Sequence, residues 1–358
     1  MNPMRLEDFY NGKRVLITGH TGFKGSWLSR ILSNMGADVF GISLDPPTTP
    51  NLFSIIENST NISTTIADIR DLGVIKDVVN RTKPEIIIHM AAQPLVSVGY
   101  SNPVYTYETN VMGTVNILEA SRNVNTVKSI LNVTTDKVYQ NNEWCWGYRE
   151  EDTLNGYDPY SNSKSCSELV TSCYTKSFFG EGTSVSTCRA GNVIGGGDFS
   201  DNRIIPDCIR AAISGLPMIL RNPYSTRPYQ HVLEPLFAYL LIAAKQYGNQ
   251  RFAGSYNVGP DSASNVNNEV LVQLFKKNWG LDFSYTVATS KELFHEANYL
   301  KLDCSKIKSV FGWNPIFSIE EAICKTIDWT KAWSSQRNSL EIMDNQIDDY
   351  SKKFLPIN

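Results

Sequence analysis

From Lys13 to Arg189, short runs of β-branched and other apolar residues alternate with stretches whose apolar positions recur every three to four residues. Val15–Thr18, Asp38–Ser43, Ile86–His89, Ser129–Thr134 and the run that opens at Thr183 read as strands, and 24–35, 71–81, 101–124 and 160–179 read as helices between them. Strand and helix in alternation require crossover connections, and right-handed crossovers build a parallel sheet covered on both faces. The expected fold is α/β, a doubly wound parallel sheet of Rossmann type.

The alternation fails after Asn192, where Gly195-Gly-Gly-Asp198 is followed by loops holding Arg203, Pro206, Pro217, Pro223 and Pro228. A helix over about 232–247 and a strand at Ser255–Val258 read as late returns to the sheet, and 260–358 reads as a smaller, mostly α region. Residues 1–191 with about 231–258 are therefore expected to form a dinucleotide-binding domain. About 192–230 with 259–358 form a substrate-binding one. A chain of 358 residues is long enough for both.

Composition narrows the class. With 42% hydrophobic and 19% charged residues the chain is too apolar for disorder, and a net charge of −3 with no basic run longer than two residues predicts neither nucleic acid nor anionic membrane as a partner. Glu7 and Asp8 stand where a signal peptide is apolar, and runs such as Leu236–Ala244 are too short to span a bilayer, so the protein is expected to be soluble and cytoplasmic. Seven scattered cysteines fit reduced thiols, and four histidines far apart predict no metal site.

Chemistry first enters at Gly19-His-Thr21-Gly22-Phe23-Lys-Gly25, directly after the first strand and opening a helix. Glycines at this spacing make a tight turn and let a pyrophosphate approach the helix N-terminus. Asp45 ends the second strand 20 residues after Gly25 and is placed for the adenosine ribose; Pro46-Pro47 brings no arginine for a 2′-phosphate, which favours NAD over NADP. Lys24 reads equally well as a phosphate contact or a solvated side chain. Asp68, after the third strand, reads as an adenine contact or a helix cap.

The second cluster is Tyr160-Ser-Asn-Ser-Lys164, where Pro159 starts a helix and four-residue spacing puts phenol and ammonium on one face. A nearby cation favours phenolate, so Tyr160 is expected to titrate below the ordinary value of about 10 and act as a base. Thr134-Thr135-Asp136-Lys137 closes a strand of the same sheet, at the carboxyl edge where such sheets bind ligands. Read alone, Asp136-Lys137 is also consistent with a surface pair, and Tyr160 with Lys164 with an exposed helix pair.

In this order the motifs, with His89-Met-Ala91-Ala92, Thr109-Asn110 and Asn192, resemble the extended short-chain dehydrogenase/reductase family, nucleotide-sugar branch, over nearly the whole chain. The resemblance implies NAD along Gly19, Thr21, Gly22, Phe23, Gly25, Asp45, Asp68, Ile69, Ala91, Ala92, Gln93 and Thr109. It makes Tyr160 the base, Lys164 the contact to the nicotinamide ribose and Thr135 the partner of the sugar oxygen. Epimerases of the branch usually lack an acid after that threonine, whereas 4,6-dehydratases carry one. Asp136-Lys137, with Asn202-Arg203-Ile-Ile-Pro206 and Thr226-Arg227-Pro-Tyr-Gln-His231, resembles the group acting on CDP-glucose.

The implied reaction oxidises C4, eliminates water across C5 and C6, and returns hydride to C6, feeding deoxysugars into lipopolysaccharide O-antigen. Asp136 must then donate a proton, which requires a pKa raised by burial against the opposing pull of Lys137. Lys137 is either the C5 base or a stabiliser of enolate charge. Arg203 and Arg227, with Asn192 as amide donor, are the candidates for the substrate pyrophosphate. Trp144 and Trp146 are possible flanks of the sugar. Relatives pair through helices matching 101–124 and 160–179, so a homodimer, or a tetramer built from it, is expected. The competing readings are a nucleotide-sugar 4-epimerase, a dehydratase for another nucleotide-glucose, and a non-catalytic dinucleotide sensor.

Overall fold

The computed structural model describes residues 4–354 apart from 181, 281 and 289–296; His295, one of the four histidines, lies outside them. Seven strands form one parallel sheet: β1 (Arg14–Thr18), β2 (Asp38–Ser43), β3 (Ile62–Ile66), β4 (Ile86–His89), β5 (Ser129–Val133), β6 (Ser184–Ala190) and β7 (Ser255–Val258), in the order β7-β6-β5-β4-β1-β2-β3. The order reverses between β1 and β4, which opens a crevice at their carboxyl ends.

Side chains alternate cleanly across this sheet. Val15, Ile17, Ile86, Ile88, Leu131 and Val133 face α1 (Phe23–Asn34), while Leu16, Ile42, Ile87 and Ile130 face α2 (Leu72–Thr82) and α3 (Gly113–Ser121). Two-sided burial explains why the strands read as continuous apolar runs. Helix α4 (Pro159–Phe178) packs beside α3, and α5 (Ile204–Ser214) belongs to a second core with α7 (Asn268–Trp279). Helix α6 (Leu233–Gln246) is buried along almost its whole length on the α1 side, and β7 pairs with β6 at the sheet edge, so both late returns are found.

Two predicted segments differ. The single helix expected over 101–124 is a helix at Val96–Ser101, another at Pro103–Tyr107, a π-turn at Glu108–Met112 and then α3. Pro103 starts its helix where a missing N–H costs nothing, and Asn102 caps it through Tyr105 N. The loops expected after Asn192 contain α5, because Pro206 falls in its first turn, where proline is tolerated. Of the C-terminal helices α8 (Ser305–Phe311), α9 (Ile319–Ser334) and α10 (Ser339–Lys353), the last lies on the large core: Met343, Ile347 and Tyr350 join it, and Arg30 on α1 holds Asp344 through two hydrogen bonds of 2.7 and 2.6 Å.

Candidate active site

The glycine loop lies in the crevice between β1 and β4. Gly19 has φ +78, and a Cβ there would stand 2.8 Å from Ala91 N. A Cβ on Gly25 would stand 2.1 Å from the Gly19 carbonyl oxygen. Bare backbone at both positions lets the loop lie flat on the start of α1, which Gly22 caps, leaving a cradle that side chains would fill and that fits a pyrophosphate. The Thr21 hydroxyl anchors the loop to the end of β2, 2.7 Å from Ser43 Oγ and donating to Leu44 O at 2.9 Å. Phe23 packs on the core, and Asp45 is exposed just beyond β2.

His20 was not singled out by sequence reasoning, yet its ring fills the space over Gly41, where a Cβ would lie 2.4 Å away. Burial lowers its pKa to about 4, so it is neutral, with Nε2 3.2 Å from Thr64 Oγ1. Across the crevice, Thr18 Oγ1 accepts from Met90 N and Ala91 N at 3.1 and 3.0 Å, fixing the turn that carries Ala91 and Ala92. Gln93 is locked by Asn110 Oδ1, which accepts from its N–H at 2.8 Å, and by Thr106 Oγ1 at 2.8 Å. Thr109, in the π-turn, keeps a buried hydroxyl without a partner among the described residues. Ile69 is buried against Gly113. Asp68 is not the cap of α2: Asp71 accepts from Val74 N at 3.1 Å, while Asp68 pairs with Arg70 at 2.7 Å, which holds its carboxyl below its ordinary value.

The catalytic candidates converge where β5 stops. The strand ends at Val133, and Asp136–Val138 form a 3-10 turn, so side-chain alternation ends with it. Thr135 caps this turn and donates to Asp136 Oδ1 at 3.0 Å. Asp136 is 2% exposed, its Oδ2 has no partner among the described residues, and burial raises its pKa against the pull of Lys137. Neither side of the surface-pair reading survives for Asp136. Lys137 is half-buried.

Asp158 accepts from Ser161 N at 3.1 Å and Pro159 opens α4, which aims Tyr160 and Lys164 into the interior. Both are buried, so they are no exposed pair. The expected direction of the phenol shift is corrected. The Lys164 ammonium donates to Val133 O at 3.1 Å, and burial pushes Tyr160 up to about 12, with the Thr135 hydroxyl pulling the other way. Burial, then the nearby Lys24, brings Lys164 down to about 7. Lys24 is not solvated: its ammonium lies 5.8 Å over the Tyr239 ring, and burial with Arg203 lowers it to about 8.

Arg203 caps α5 and reaches Asp198 at 3.2 Å, close enough to Tyr160 and Lys24 to act on both. Arg227 is 2% exposed in a short strand, donates to Thr226 O at 2.9 Å and to Ala297 O, and its charge reaches Asp136. Asn192 O accepts from Gln230 N at 2.9 Å, three residues beyond Arg227 in sequence. His231 is buried between Trp27 and Phe317 and held neutral, a structural residue. Trp144 packs on Tyr148, and Trp146 is exposed. No group of three or more metal-ligating side chains occurs among the described residues, and no helix among them is long and apolar enough to cross a membrane.

Residues 16–326 match the family model described as GDP-mannose 4,6 dehydratase. The chain is 46% identical over 351 residues to the CDP-glucose 4,6-dehydratase of Salmonella typhimurium, covering 96% of this chain and 98% of that one. It is 26% identical to a dTDP-glucose 4,6-dehydratase of Haemophilus influenzae, over 88% and 97% of the two chains. Among solved structures, the UDP-glucose 4-epimerase of Thermotoga maritima with UDP-glucose superposes with TM-score 0.77 at 22% identity, covering 89% of this chain and 99% of that one. The dTDP-glucose 4,6-dehydratase of Bacillus anthracis in complex with NAD superposes with TM-score 0.75 at 22% identity, over 92% and 100%. These two share the fold.

Proposed function

The chain belongs to the GDP-mannose 4,6-dehydratase family, and from that premise we propose that it is an NAD-dependent hydro-lyase converting CDP-glucose to CDP-4-dehydro-6-deoxyglucose. The observation that carries dehydration is Asp136: a buried carboxyl with a raised pKa and an unpartnered oxygen, in the turn that also bears Thr135. An epimerase needs no such acid. The base preference rests on the 46% identical relative.

The glycine cradle, with Asp45, Asp68, Ile69, Ala91, Ala92, Gln93 and Thr109 around the crevice, would hold NAD. When bound, the nicotinamide supplies two-electron oxidation at C4 and the matching reduction at C6. Tyr160 is assigned to take the proton of the C4 hydroxyl as its phenolate, becoming the phenol, while Thr135 holds that oxygen and Arg203, whose charge lowers the phenol pKa, favours the phenolate. A C4 ketone acidifies C5–H, and Asp136, whose burial raises its pKa in the direction that favours holding a proton, is assigned to give that proton to the departing C6 hydroxyl. Lys137 is assigned to C5, either as the base that takes its proton or as the group that holds enolate charge while solvent water takes that proton. Arg203, Arg227 and Asn192, in the segment 192–230 assigned to the substrate-binding domain, would hold the diphosphate.

The apolar groove formed by Pro103, Val104, Tyr107, Val111, Met112 and Cys166 supports a homodimer, with a tetramer as a further step. A cytoplasmic place and a supply of deoxysugar for lipopolysaccharide accord with this substrate. The test is proton NMR of the protein with NAD and CDP-glucose in D₂O, beside the UDP, GDP and dTDP sugars. A new C6 methyl with deuterium at C5 from CDP-glucose alone is the expected result. A galactose-type product without a methyl would mean an epimerase, and methyl from another sugar nucleotide would overturn the base assignment.

A further inference from the structure

Glu168 lies four residues beyond Lys164 on α4, one turn along the same face, and is among the most enclosed charges in the protein, at 3% exposure. Its Oε1 accepts from Thr134 Oγ1 at 2.5 Å. Its Oε2 accepts from Thr187 Oγ1 at 2.7 Å and Arg189 Nη2 at 2.8 Å. Arg189, 2% exposed, donates through Nη1 to Tyr139 OH at 2.9 Å and Glu150 O at 2.8 Å, with its guanidinium carbon 5.1 Å from the Tyr139 ring centre. Tyr139 in turn donates to Asn257 Oδ1 on β7 at 2.6 Å. One ion pair thus gathers the end of β5, two positions of β6, the helix bearing Tyr160 and Lys164, and the chain that leaves the Asp136 turn.

We infer that the Glu168–Arg189 pair is a positioning device of the catalytic centre, holding the Thr134–Asp136 turn against the Lys164 helix and supplying the anion that balances Lys164. The inference rests on the reading that Tyr160 and Lys164 carry the proton chemistry. Stability alone is a poor reason for such a pair, since desolvating two charges offsets most of their attraction and well-packed apolar residues often serve as well. Its location supplies the reason. The turn and the helix bring their reacting groups from separate segments, and Thr134, the residue before Thr135, is tied to α4 through Glu168.

The charged groups that act on Lys164 are Lys24 on α1 and Glu168 on its own helix; neutral His89 on β4 lies near it, Arg189 on β6 stands behind Glu168, and Asp136 on the turn acts on Lys24. Lys24 drives the Lys164 proton off and Glu168 holds it on. Removing only the Glu168 charge leaves Arg189 unbalanced, so Lys164 loses its proton at lower pH.

The test is Glu168→Gln, and Glu168→Gln with Arg189→Met, assayed beside the parent enzyme with NAD and CDP-glucose. Glu168→Gln is expected to lower kcat roughly tenfold with KM nearly unchanged, and to move the alkaline limb of kcat down by about one pH unit. The double variant, with both charges gone, is expected to bring the limb back while kcat stays low. A folded Glu168→Gln protein with parental kcat and pH profile overturns the inference, as does a double variant whose limb stays displaced. If the single variant does not fold, parental kcat in the double variant overturns it. A parent that makes no 4-keto-6-deoxy product overturns the functional reading instead.

Discussion

At the scale of single residues, the proposed function turns on one carboxyl to tell dehydration from epimerisation. In the proposed mechanism Asp136 must give a proton to expel the C6 hydroxyl, and its burial raises its pKa in the direction this requires. Asp136→Asn keeps the shape and a donor but has no proton to give, so oxidation at C4 should continue while dehydration falls by roughly 10²–10⁴-fold. Stopped-flow absorbance of reduced nicotinamide set against methyl formation by NMR measures the two separately, and an unchanged dehydration rate removes Asp136 from the mechanism. Tyr160→Phe should lower turnover by roughly the same factor at the oxidation step, with calorimetric binding of CDP-glucose close to parental, because only the acceptor for the C4 proton is gone. Full activity in that variant would assign the proton to another group. These two residues were legible because their types and spacing are unusual. Lys24, His20 and Glu168 were not, because an isolated charge or imidazole beside a motif looks the same in sequence whether it turns inward or outward, and only the packing of Tyr239, Gly41 and Arg189 decides.

At the scale of elements, the sheet was legible wherever burial on both faces imposed continuous apolar runs, and the helices wherever one face was apolar. The misplaced helix boundaries around 101–124 arise from a π-turn, which leaves no mark in hydrophobic spacing, and α5 was hidden by a proline that its first turn accepts. The joining of elements is less legible still. Glu234, at the start of α6, is fully buried, accepts from Ile316 N and Phe317 N at 2.9 and 2.7 Å and from Tyr350 OH at 2.6 Å, and so ties α9 and α10 to α6. Burial lifts its pKa from 4.5 to about 7. Below about pH 4.5 it is protonated folded and unfolded alike. Between there and pH 7 only the folded state retains the proton, so stability falls as pH rises, by up to roughly 3 kcal/mol. Glu234→Gln keeps an oxygen for the two N–H groups and an amide for Tyr350 without this charge. Its melting temperature should therefore lose the decline between pH 5 and 8 that the parent shows. A parent with a flat profile over that range would remove Glu234 from the acid–base balance of the fold.

At the scale of the whole molecule, one group of exposed apolar side chains lies on α4 and the helical segments beside it. Val104 is 67% exposed, Leu169 56%, Met112 50% and Phe178 47%. Cys166, Leu169 and Cys173 follow one another at three and four residues along α4, and the first of them closes the groove begun by Pro103 and Val104. A two-fold pairing of this face would bury the same patch twice, and any change within it is made twice. Val104→Glu places a carboxylate in the groove, near Glu108, and its copy does the same across the axis. Each buried, unpaired charge costs several kcal/mol, so the variant is expected to run as a monomer at micromolar concentration where the parent runs as a dimer. Light scattering behind size exclusion reads the mass directly. Val104 is exposed, so the melting temperature of the separated chain should reflect only the lost partner. A parent that is monomeric at every concentration would overturn the dimer, and a variant that still pairs would move the interface elsewhere. Because the proton chemistry of each centre comes from one chain, pairing through this face would stiffen α4 beneath Tyr160 and Lys164 without lending the site a residue.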